Sequence, residues 1–278
     1  MPQTSSVALL GAGWLGEPLG EQLLTREYTV KAATTSTEKA LRLANKGFES
    51  HQMLVQPDGI EGGQTDFWVV DTLVLTLPPG GRRNPEVATT YPAKIDQVIQ
   101  RAQAAGIHRI LFTSSTGVYG NQEGLVNEDS PLVPNTASGK ALVKVEGQLR
   151  EAFGEGLTIL RLAGLVGGSR QPGRWFAGRT QIPGGEQYVN LVHRVDVINQ
   201  CLAIIQHDYW GTTLNVCADQ HPSKADFYPQ AAAKAGLPAP SFIVDANAKP
   251  GKRVANDRSK EVPEFMYQYP DPGQFPNE

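Results

Sequence analysis

Short apolar runs alternate with segments of helical hydrophobic spacing through the first 160 or so residues. An apolar run at 7–10 opens onto glycines, and leucines then recur at helical spacing through 15–26. The further predicted strands cover 29–34, 72–77, 109–113 and 158–162, and the further predicted helices cover 38–45, 87–105 and 140–153. This regular alternation predicts an α/β protein with a doubly wound parallel sheet and helices on both faces, which is a Rossmann fold.

The alternation breaks after residue 162. Residues 163–192 are rich in glycine, arginine and proline, and a helix at 196–205 and a strand at 214–216 follow. The segment 223–235 has helical character, but Pro229 inside it predicts a kink or a later start. We therefore predict two units. A Rossmann domain takes residues 1–163 and 188–217, and a small discontinuous C-terminal lobe on the substrate side takes 164–187 and 218–278.

Composition narrows the functional classes. The chain of 278 residues is 40% hydrophobic, enough for a buried core, and its formal net charge of −3 gives no basic excess for nucleic acid or an anionic membrane. No apolar run approaches the ~18 residues that span a bilayer, and no signal peptide is visible. The two cysteines exclude a disulfide framework, and no ligand spacing indicates a metal. We expect a cytoplasmic protein that acts on a small molecule.

A glycine motif lies where the first predicted strand meets the first helix. Gly11, Gly13 and Gly16 form G-x-G-x-x-G. The first glycine permits a tight turn, the second lets a diphosphate approach the backbone, and the third lets the helix pack against the strand. The helix N-terminus then offers N–H groups to the phosphates. We predict that a dinucleotide contacts this loop, including Trp14 and Leu15. A structural turn without a ligand is the alternative.

The end of the second strand bears on the choice between NAD and NADP. An NAD site usually has an acid there for the ribose 2′-hydroxyl, but this strand runs into a Thr-Thr-Ser sequence followed by Lys39. Hydroxyls and a lysine suit a 2′-phosphate, so we predict NADP and keep NAD as the alternative. Beside the glycine loop, the predicted cofactor contacts are Thr34, Thr35, Ser36, Leu77, Pro78 and Pro79.

Four segments of the chain resemble the extended short-chain dehydrogenase/reductase superfamily, which includes nucleotide-sugar epimerases and dehydratases. They are 11–16 (GAGWLG), 111–120 (LFTSSTGVYG), 161–164 (RLAG) and 190–196 (NLVHRVD). More narrowly, the chain resembles the atypical YeeZ-type subgroup, which typically lacks the full active-site motif. The resemblance implies a nicotinamide dinucleotide and a small polar substrate, such as a phosphorylated molecule or a nucleotide sugar.

The resemblance also implies a role for Ser115. In the extended family a serine or threonine four residues before the tyrosine of Val-Tyr-Gly hydrogen-bonds the substrate, and Ser115 stands at that position before Tyr119. The alternative is that Ser115 only caps the strand end. Tyr119 is expected to line the same cleft, and both catalysis and packing under the second lobe stay open for it.

The family's Tyr-x-x-x-Lys pair is missing. In the register set by Gly139 and Glu146, Ser138 stands at the tyrosine position and Leu142 at the lysine position. A serine hydroxyl is a far weaker acid than a phenol, and leucine cannot lower a neighbour's pKa. Because a positioned general acid or base contributes ~10²–10⁴-fold in rate, we do not expect the ordinary dehydrogenase mechanism. The candidate catalytic residues are Ser115, Tyr119 and Ser138.

A glycine-rich loop in the second lobe contains arginines. Arg170 and Arg174 are predicted to bind an anionic group of the substrate, because guanidinium pairs with phosphate or carboxylate bidentately. A solvated basic surface is the alternative. Arg82 and Arg83 form another basic loop near the expected nicotinamide edge.

His193 and Asp196 lie where the helix at 196–205 begins. The resemblance implies that His193 lines the cleft or connects the lobes, so it is included among the predicted substrate-binding residues. It also implies that Asp196 is the helix N-cap. A hydrolase triad of Ser115, His193 and Asp196 is disfavoured because no G-x-S-x-G nucleophile elbow is present.

Two functions from different classes stay open. The first is an NAD(P)-dependent oxidoreductase or epimerase/dehydratase with a non-standard acid/base group. The second is a non-catalytic NAD(P)-binding protein that reads the redox state for a partner. The missing tyrosine and lysine favour the second, whereas Ser115 and the arginines favour the first. A relative without any cofactor fits the intact glycine loop least well. We expect a monomer or a homodimer.

Overall fold

The computed structural model describes residues 5–63, 65–80 and 84–277, so the basic loop of Arg82 and Arg83 lies outside the described residues. The helices are α1 (Gly16–Leu24), α2 (Thr37–Ala44), α3 (Val87–Ala104), α4 (Ala137–Phe153), α5 (Arg194–Gln206) and α6 (Lys224–Lys234). The strands are β1 (Ser6–Leu10), β2 (Thr29–Thr34), β3 (Glu49–Gln56), β4 (Gly59–Gly62), β5 (Thr72–Leu75), β6 (Arg109–Ser115), β7 (Gly124–Val126), β8 (Leu157–Leu162), β9 (Gly164–Val166), β10 (Leu191–His193), β11 (Thr213–Val216) and β12 (Lys252–Val254).

Eight strands form one sheet in the order β11-β8-β6-β5-β1-β2-β3-β4. Every pair is parallel except β3 with β4. Helix α1 packs on α5, and α3 packs on α4. The strand order reverses between β1 and β5, which is the switch point where open α/β sheets bind ligands. The predicted doubly wound Rossmann fold is confirmed.

The central strands are the ones whose sequence gives the strongest signal. All four residues of β5 and all six of β8 are buried. A parallel strand covered by helices on both faces is a continuous apolar run instead of an alternating one. This is why 72–77 and 158–162 were recognisable as strands.

The far edge of the sheet was not predicted. The sequence of β3, ESHQMLVQ, is mostly polar, and only Met53 and Val55 in it are buried. An edge strand has to cover less apolar surface than a central one, so β3 and β4 leave little hydrophobic pattern in the sequence.

Neither the predicted start of α4 nor the later start considered for α6 is observed. Helix α4 begins at Ala137, three residues earlier than predicted, because the Thr136 Oγ1 atom accepts a hydrogen bond from the Gly139 N–H at 3.0 Å. Helix α6 starts directly after its N-cap Ser223 and continues through Pro229, so the later start is not observed. Burial of Phe227 and Tyr228 holds this helix in place.

A second, smaller apolar core lies apart from the main one. It is formed by Val166, Val189, Leu191, Ala218, Phe227, Tyr228 and Phe275. Strand β10 pairs with β9, and β12 pairs with β7, as separate two-stranded sheets. The division into a Rossmann domain and a small discontinuous lobe stays a prediction, and Val189 and Leu191 of this core belong to the predicted Rossmann domain. No helix in the described part of the chain is long and apolar enough to cross a membrane.

Candidate active site

A cleft of about 520 Å³ opens at the carboxyl ends of β1, β5 and β6. Most of the predicted site residues meet there, although they come from distant parts of the chain. Those lining the cleft are Gly11, Gly13, Trp14, Leu15, Gly16, Leu77, Pro78, Pro79, Ser115, Ser138 and Arg170.

The three glycines of the loop are required for different reasons. Gly11 has φ +114°, and a Cβ atom on it would lie 2.7 Å from the Thr76 Oγ1 atom. A Cβ atom on Gly16 would lie 2.4 Å from the Gly11 carbonyl oxygen. A Cβ atom on Gly13 would meet nothing nearer than 3.8 Å. Packing therefore requires glycine at 11 and 16, whereas the bare backbone at Gly13 is left open to the cleft.

The first turn of α1 faces this loop without a side-chain cap. Its N-cap residue is Leu15, which makes no capping hydrogen bond. The first N–H groups of a helix have no partner within the helix, and its N-terminal end carries a partial positive charge. Together with the exposed backbone at Gly13, this arrangement fits the diphosphate of a dinucleotide.

Basic side chains near the end of β2 pair with one carboxylate, that of Glu17, which was not among the predicted site residues. The Lys39 Nζ atom lies 3.4 Å from Glu17, which also pairs with Arg42 and with Lys46 at 2.8 Å. The hydrogen bond from Arg42 is the largest influence that lowers the pKa of Glu17 to about 2. Lys39 is therefore already paired, which weakens the expectation that it binds a 2′-phosphate.

The three predicted hydroxyl contacts, Thr34, Thr35 and Ser36, lie where β2 ends. Ser36 caps α2, its Oγ atom accepting from the Lys39 N–H at 3.2 Å, and the Thr34 Oγ1 atom accepts from the Ser36 N–H at 3.3 Å. Thr35 lines a neighbouring cavity of about 210 Å³ together with Tyr91 and Pro79.

Ser115 and Ser138 line the cleft from different elements. Ser115 ends β6, and its Oγ atom accepts a hydrogen bond from the Gly117 N–H at 3.1 Å, so it also caps the following short helix. Ser138 lies in the first turn of α4, and Leu142, one turn later, lines the same cleft. Hence the two positions where the extended family has tyrosine and lysine hold a hydroxyl and an alkyl group.

Tyr119 is not among the described residues that line the cleft, so its expected position there is not observed, and its catalytic role stays a prediction. The ring is fully buried; its hydroxyl donates to the Asn215 Oδ1 atom at 2.7 Å and accepts from the Arg161 Nη1 atom at 2.9 Å. Burial raises the pKa of Tyr119. The spacing from Ser115 indicated proximity along the chain, but the short helix after β6 turns this side chain into the core.

We expect Tyr119→Phe to destabilise the protein without changing ligand binding. The change leaves the Asn215 amide oxygen and one Arg161 N–H with one partner fewer in the core, which should cost about 1–3 kcal/mol. Urea denaturation measures this loss, and dinucleotide titration provides the control. An unchanged midpoint together with weakened ligand binding would restore Tyr119 to the site.

A buried ion pair lies directly behind the cleft. The Glu146 carboxylate is completely buried; it accepts from the Arg161 Nη2 atom at 2.8 Å and from the Ser114 Oγ atom at 2.6 Å. Arg161 is only 3% exposed. In the sequence Glu146 marked only the register of α4, and nothing there indicated a partner 15 residues away on β8.

The arginine-containing loop forms the wall of a wider space of about 1220 Å³ that adjoins the cleft. Arg170 and Arg174 both line it, as does Trp175, which is 43% exposed. Both arginines therefore border the same space, and their binding of an anionic group of the substrate stays a prediction. Trp175 was missed, although it follows Arg174 directly in the sequence.

His193 is not among the described residues that line the cleft, and its contact with substrate stays a prediction. The side chain is fully buried and caps α5, with its Nδ1 atom accepting from the Val195 N–H at 3.4 Å. Its ring packs edge-on against Tyr269, with the ring centroids 4.5 Å apart. The predicted N-cap, Asp196, instead accepts the backbone N–H groups of Gln268 at 2.7 Å and Tyr269 at 3.3 Å.

Burial raises the pKa of Asp196 to about 6. The free energy of unfolding therefore depends on pH through this carboxyl group. The unfolded carboxyl ionises first as the pH rises, so the folded state loses relative stability between about pH 4 and pH 6. Relative to Asp196→Asn, the wild-type free energy of unfolding should fall by about 2–3 kcal/mol from pH 4 to pH 7. Urea denaturation of both proteins at the two pH values tests this. A pH-independent difference between them would contradict it.

The described residues that line the cleft and the adjoining space include hydroxyls, arginines and tryptophans. No aspartate, glutamate, histidine, lysine, tyrosine or cysteine is among them. No group of three or more metal-ligating side chains occurs in the described ranges. A general acid or base with a pKa near neutrality is therefore not among these described lining residues.

A comparison with models of known protein families finds no match. Protein YeeZ of Escherichia coli K12 is 39% identical over 274 residues, which are 98% of this chain and 99% of YeeZ. A functionally unknown conserved protein of Silicibacter pomeroyi is 27% identical, with a TM-score of 0.75 over 97% of this chain and 96% of that one. The UDP-glucuronic acid 4-epimerase of Bacillus cereus, solved with NAD, is 16% identical, with a TM-score of 0.76 over 95% and 92% of the two chains.

The strand order and the glycine loop at the switch point define a Rossmann-fold protein, and the epimerase neighbour shares this fold. Within that class, the chain belongs to the YeeZ family. The resemblance inferred from four sequence segments is thereby confirmed.

Proposed function

We propose that this protein binds a nicotinamide dinucleotide in the cleft at the switch point. The observation that carries the proposal is Gly13. A Cβ atom at this position would project into open space, so packing does not require a glycine there. Gly13 nevertheless borders the uncapped N-terminus of α1. The loop would hold the diphosphate, and the residues after β5 would line the nicotinamide side. When bound, such a cofactor supplies a hydride donor or acceptor.

We further propose NADP as the preferred dinucleotide, with NAD as the alternative. The hydroxyls of Thr35 and Ser36 lie at the end of β2, and no acid occupies that strand end. Against this stand the pairing of Lys39 with Glu17 and the NAD bound in the epimerase neighbour. The preference between NADP and NAD depends on whether a 2′-phosphate can replace Glu17 as the partner of Lys39.

The chemistry we propose is oxidoreduction or epimerisation/dehydration of a small polar, anionic substrate. Arg174 and Trp175 would bind it in the wider space, with Arg170 at the boundary to the cofactor. Ser115 and Ser138 would orient a substrate hydroxyl or carbonyl. Because the described lining residues include no phenol or carboxyl group, the proton would come from water or from the substrate.

A non-catalytic redox-reading protein is the second candidate. The observation that favours it is the combination of Ser138 and Leu142 in the cleft with Tyr119 turned into the core. Such a protein should adopt different conformations with oxidised and reduced cofactor. Identical protease-protection patterns in the two complexes would count against it.

Titration with NADPH and NADH, followed by cofactor fluorescence and thermal shift, tests the proposal. We expect saturable binding with NADPH preferred, and Ser115→Ala should then bind equally well while losing turnover of any substrate found by screening. Absence of binding of both dinucleotides at millimolar concentration would overturn both the catalytic and the sensing function.

A further inference from the structure

Arg170 is linked to the glycine loop through an aromatic ring. Its guanidinium carbon lies 4.1 Å from the centroid of the Trp14 ring, a cation–π distance. Trp14 follows Gly13 directly, so its backbone is part of the loop. The stack therefore places a cation of the small lobe next to the backbone that the diphosphate would contact.

Arg170 also differs electrostatically from the other residues around the cleft. Among the described lining residues of the 520 Å³ cleft it is the one with a charged side chain. It is exposed, and no carboxylate of the described residues forms an ion pair with it. Arg174, four residues later, lines the wider space but does not line this cleft.

We propose that Arg170 binds the diphosphate of the dinucleotide, with the Trp14 ring holding its guanidinium in position. The small lobe thus contributes to the cofactor site, and the substrate anion is left to Arg174. The inference rests on the proposed function, since it requires a dinucleotide in the cleft. A planar guanidinium can keep one face on the ring while its edge N–H groups donate to phosphate oxygens.

Calorimetric titration of the full-length protein with NADPH and with ADP-ribose tests the assignment. ADP-ribose shares the diphosphate but lacks the nicotinamide. Arg170→Ala should raise the Kd of both ligands by the same factor, about tenfold or more, because charge-assisted hydrogen bonds are lost. Arg170→Lys should recover part of the loss, since it keeps the charge but not the planar stack.

Arg179→Ala is the matched control. Arg179 belongs to the same loop region and lies 5.4 Å from the Phe176 ring, but it does not line the cleft or the wider space. It should leave both Kd values unchanged. Trp14→Leu removes the ring under Arg170 and should weaken binding of both ligands, with thermal unfolding confirming that the variant is folded.

The outcomes separate the two hypotheses. A wild-type protein that binds neither ligand overturns the proposed function and this inference with it. Wild-type binding with an unchanged Kd in Arg170→Ala overturns this inference alone. ADP-ribose also lacks the 2′-phosphate, so a loss confined to NADPH, with ADP-ribose unaffected, would place Arg170 at the nicotinamide or at the 2′-phosphate and would also overturn it.

Discussion

Replacing Glu146 by alanine is expected to lower the free energy of unfolding by about 3–5 kcal/mol. Glu146 is wholly buried and carries the hydrogen bonds from Arg161 and Ser114. Without it, the Arg161 guanidinium, 3% exposed, would keep its charge in the core with no counter-charge. Urea denaturation at pH 7 measures the loss.

Two further variants show whether the loss comes from the ion pair. Glu151→Ala removes an exposed carboxylate from the same helix and should change stability by no more than about 0.5 kcal/mol. Glu146→Ala combined with Arg161→Met removes both charges and should recover part of the loss. The Arg161→Met single variant completes the comparison. If the double variant loses as much free energy of unfolding as Glu146→Ala and Arg161→Met lose together, the pair is not coupled.

The same ion pair supports the site. Ser114, whose hydroxyl is held by Glu146, directly precedes Ser115 at the end of β6. Glu146 is therefore a positioning residue for the strand end that faces the cleft. Glu146 is not itself among the described residues that line the cleft and reaches it only through Ser114, so its loss should act through the fold.

Gly13→Ala is expected to raise the Kd for the dinucleotide by about 100-fold while the protein stays folded. A methyl group at this position meets no protein atom nearer than 3.8 Å, so it projects into open space. It would then displace the diphosphate from two or so backbone hydrogen bonds, each worth about 1.5 kcal/mol. Fluorescence titration with NADPH gives the Kd, and thermal unfolding checks the fold.

Gly16→Ala is the opposite case in the same loop. Its Cβ atom would lie 2.4 Å from the Gly11 carbonyl oxygen, and overpacking of this kind costs about 1–3 kcal/mol. We expect lost stability at position 16 and lost affinity at position 13. Equal affinities of Gly13→Ala and the wild type would remove the observation on which the proposed function rests.

The sequence predicted the glycine loop at the carboxyl end of β1 because its signals are local. The loop of Gly11, Gly13 and Gly16 links a predicted strand and helix within a few residues, and the backbone there has little conformational choice. Ser138 and Leu142 were placed correctly on one helix face by their four-residue spacing. Such inferences need no knowledge of distant contacts.

The positions of two other predicted site residues depend on distant contacts. Tyr119 and His193 are chemically suited to a site and lie in recognisable motifs, yet both side chains are buried outside the cleft. Their directions depend on partners far along the chain, Asn215 and Arg161 for Tyr119 and Tyr269 for His193. Spacing within a motif cannot reveal such partners.

By itself the sequence determined the doubly wound sheet, the glycine loop and the absence of the Tyr-x-x-x-Lys pair, because hydrophobic periodicity and glycine geometry act over short stretches. The tertiary structure alone decided that Glu146 and Arg161 form a buried pair, that Lys39 is bound to Glu17, and that Arg170 stacks on Trp14. Each of these contacts joins residues on different elements. Which side chains meet is determined by the packing of the folded chain, and no short stretch of sequence contains that information.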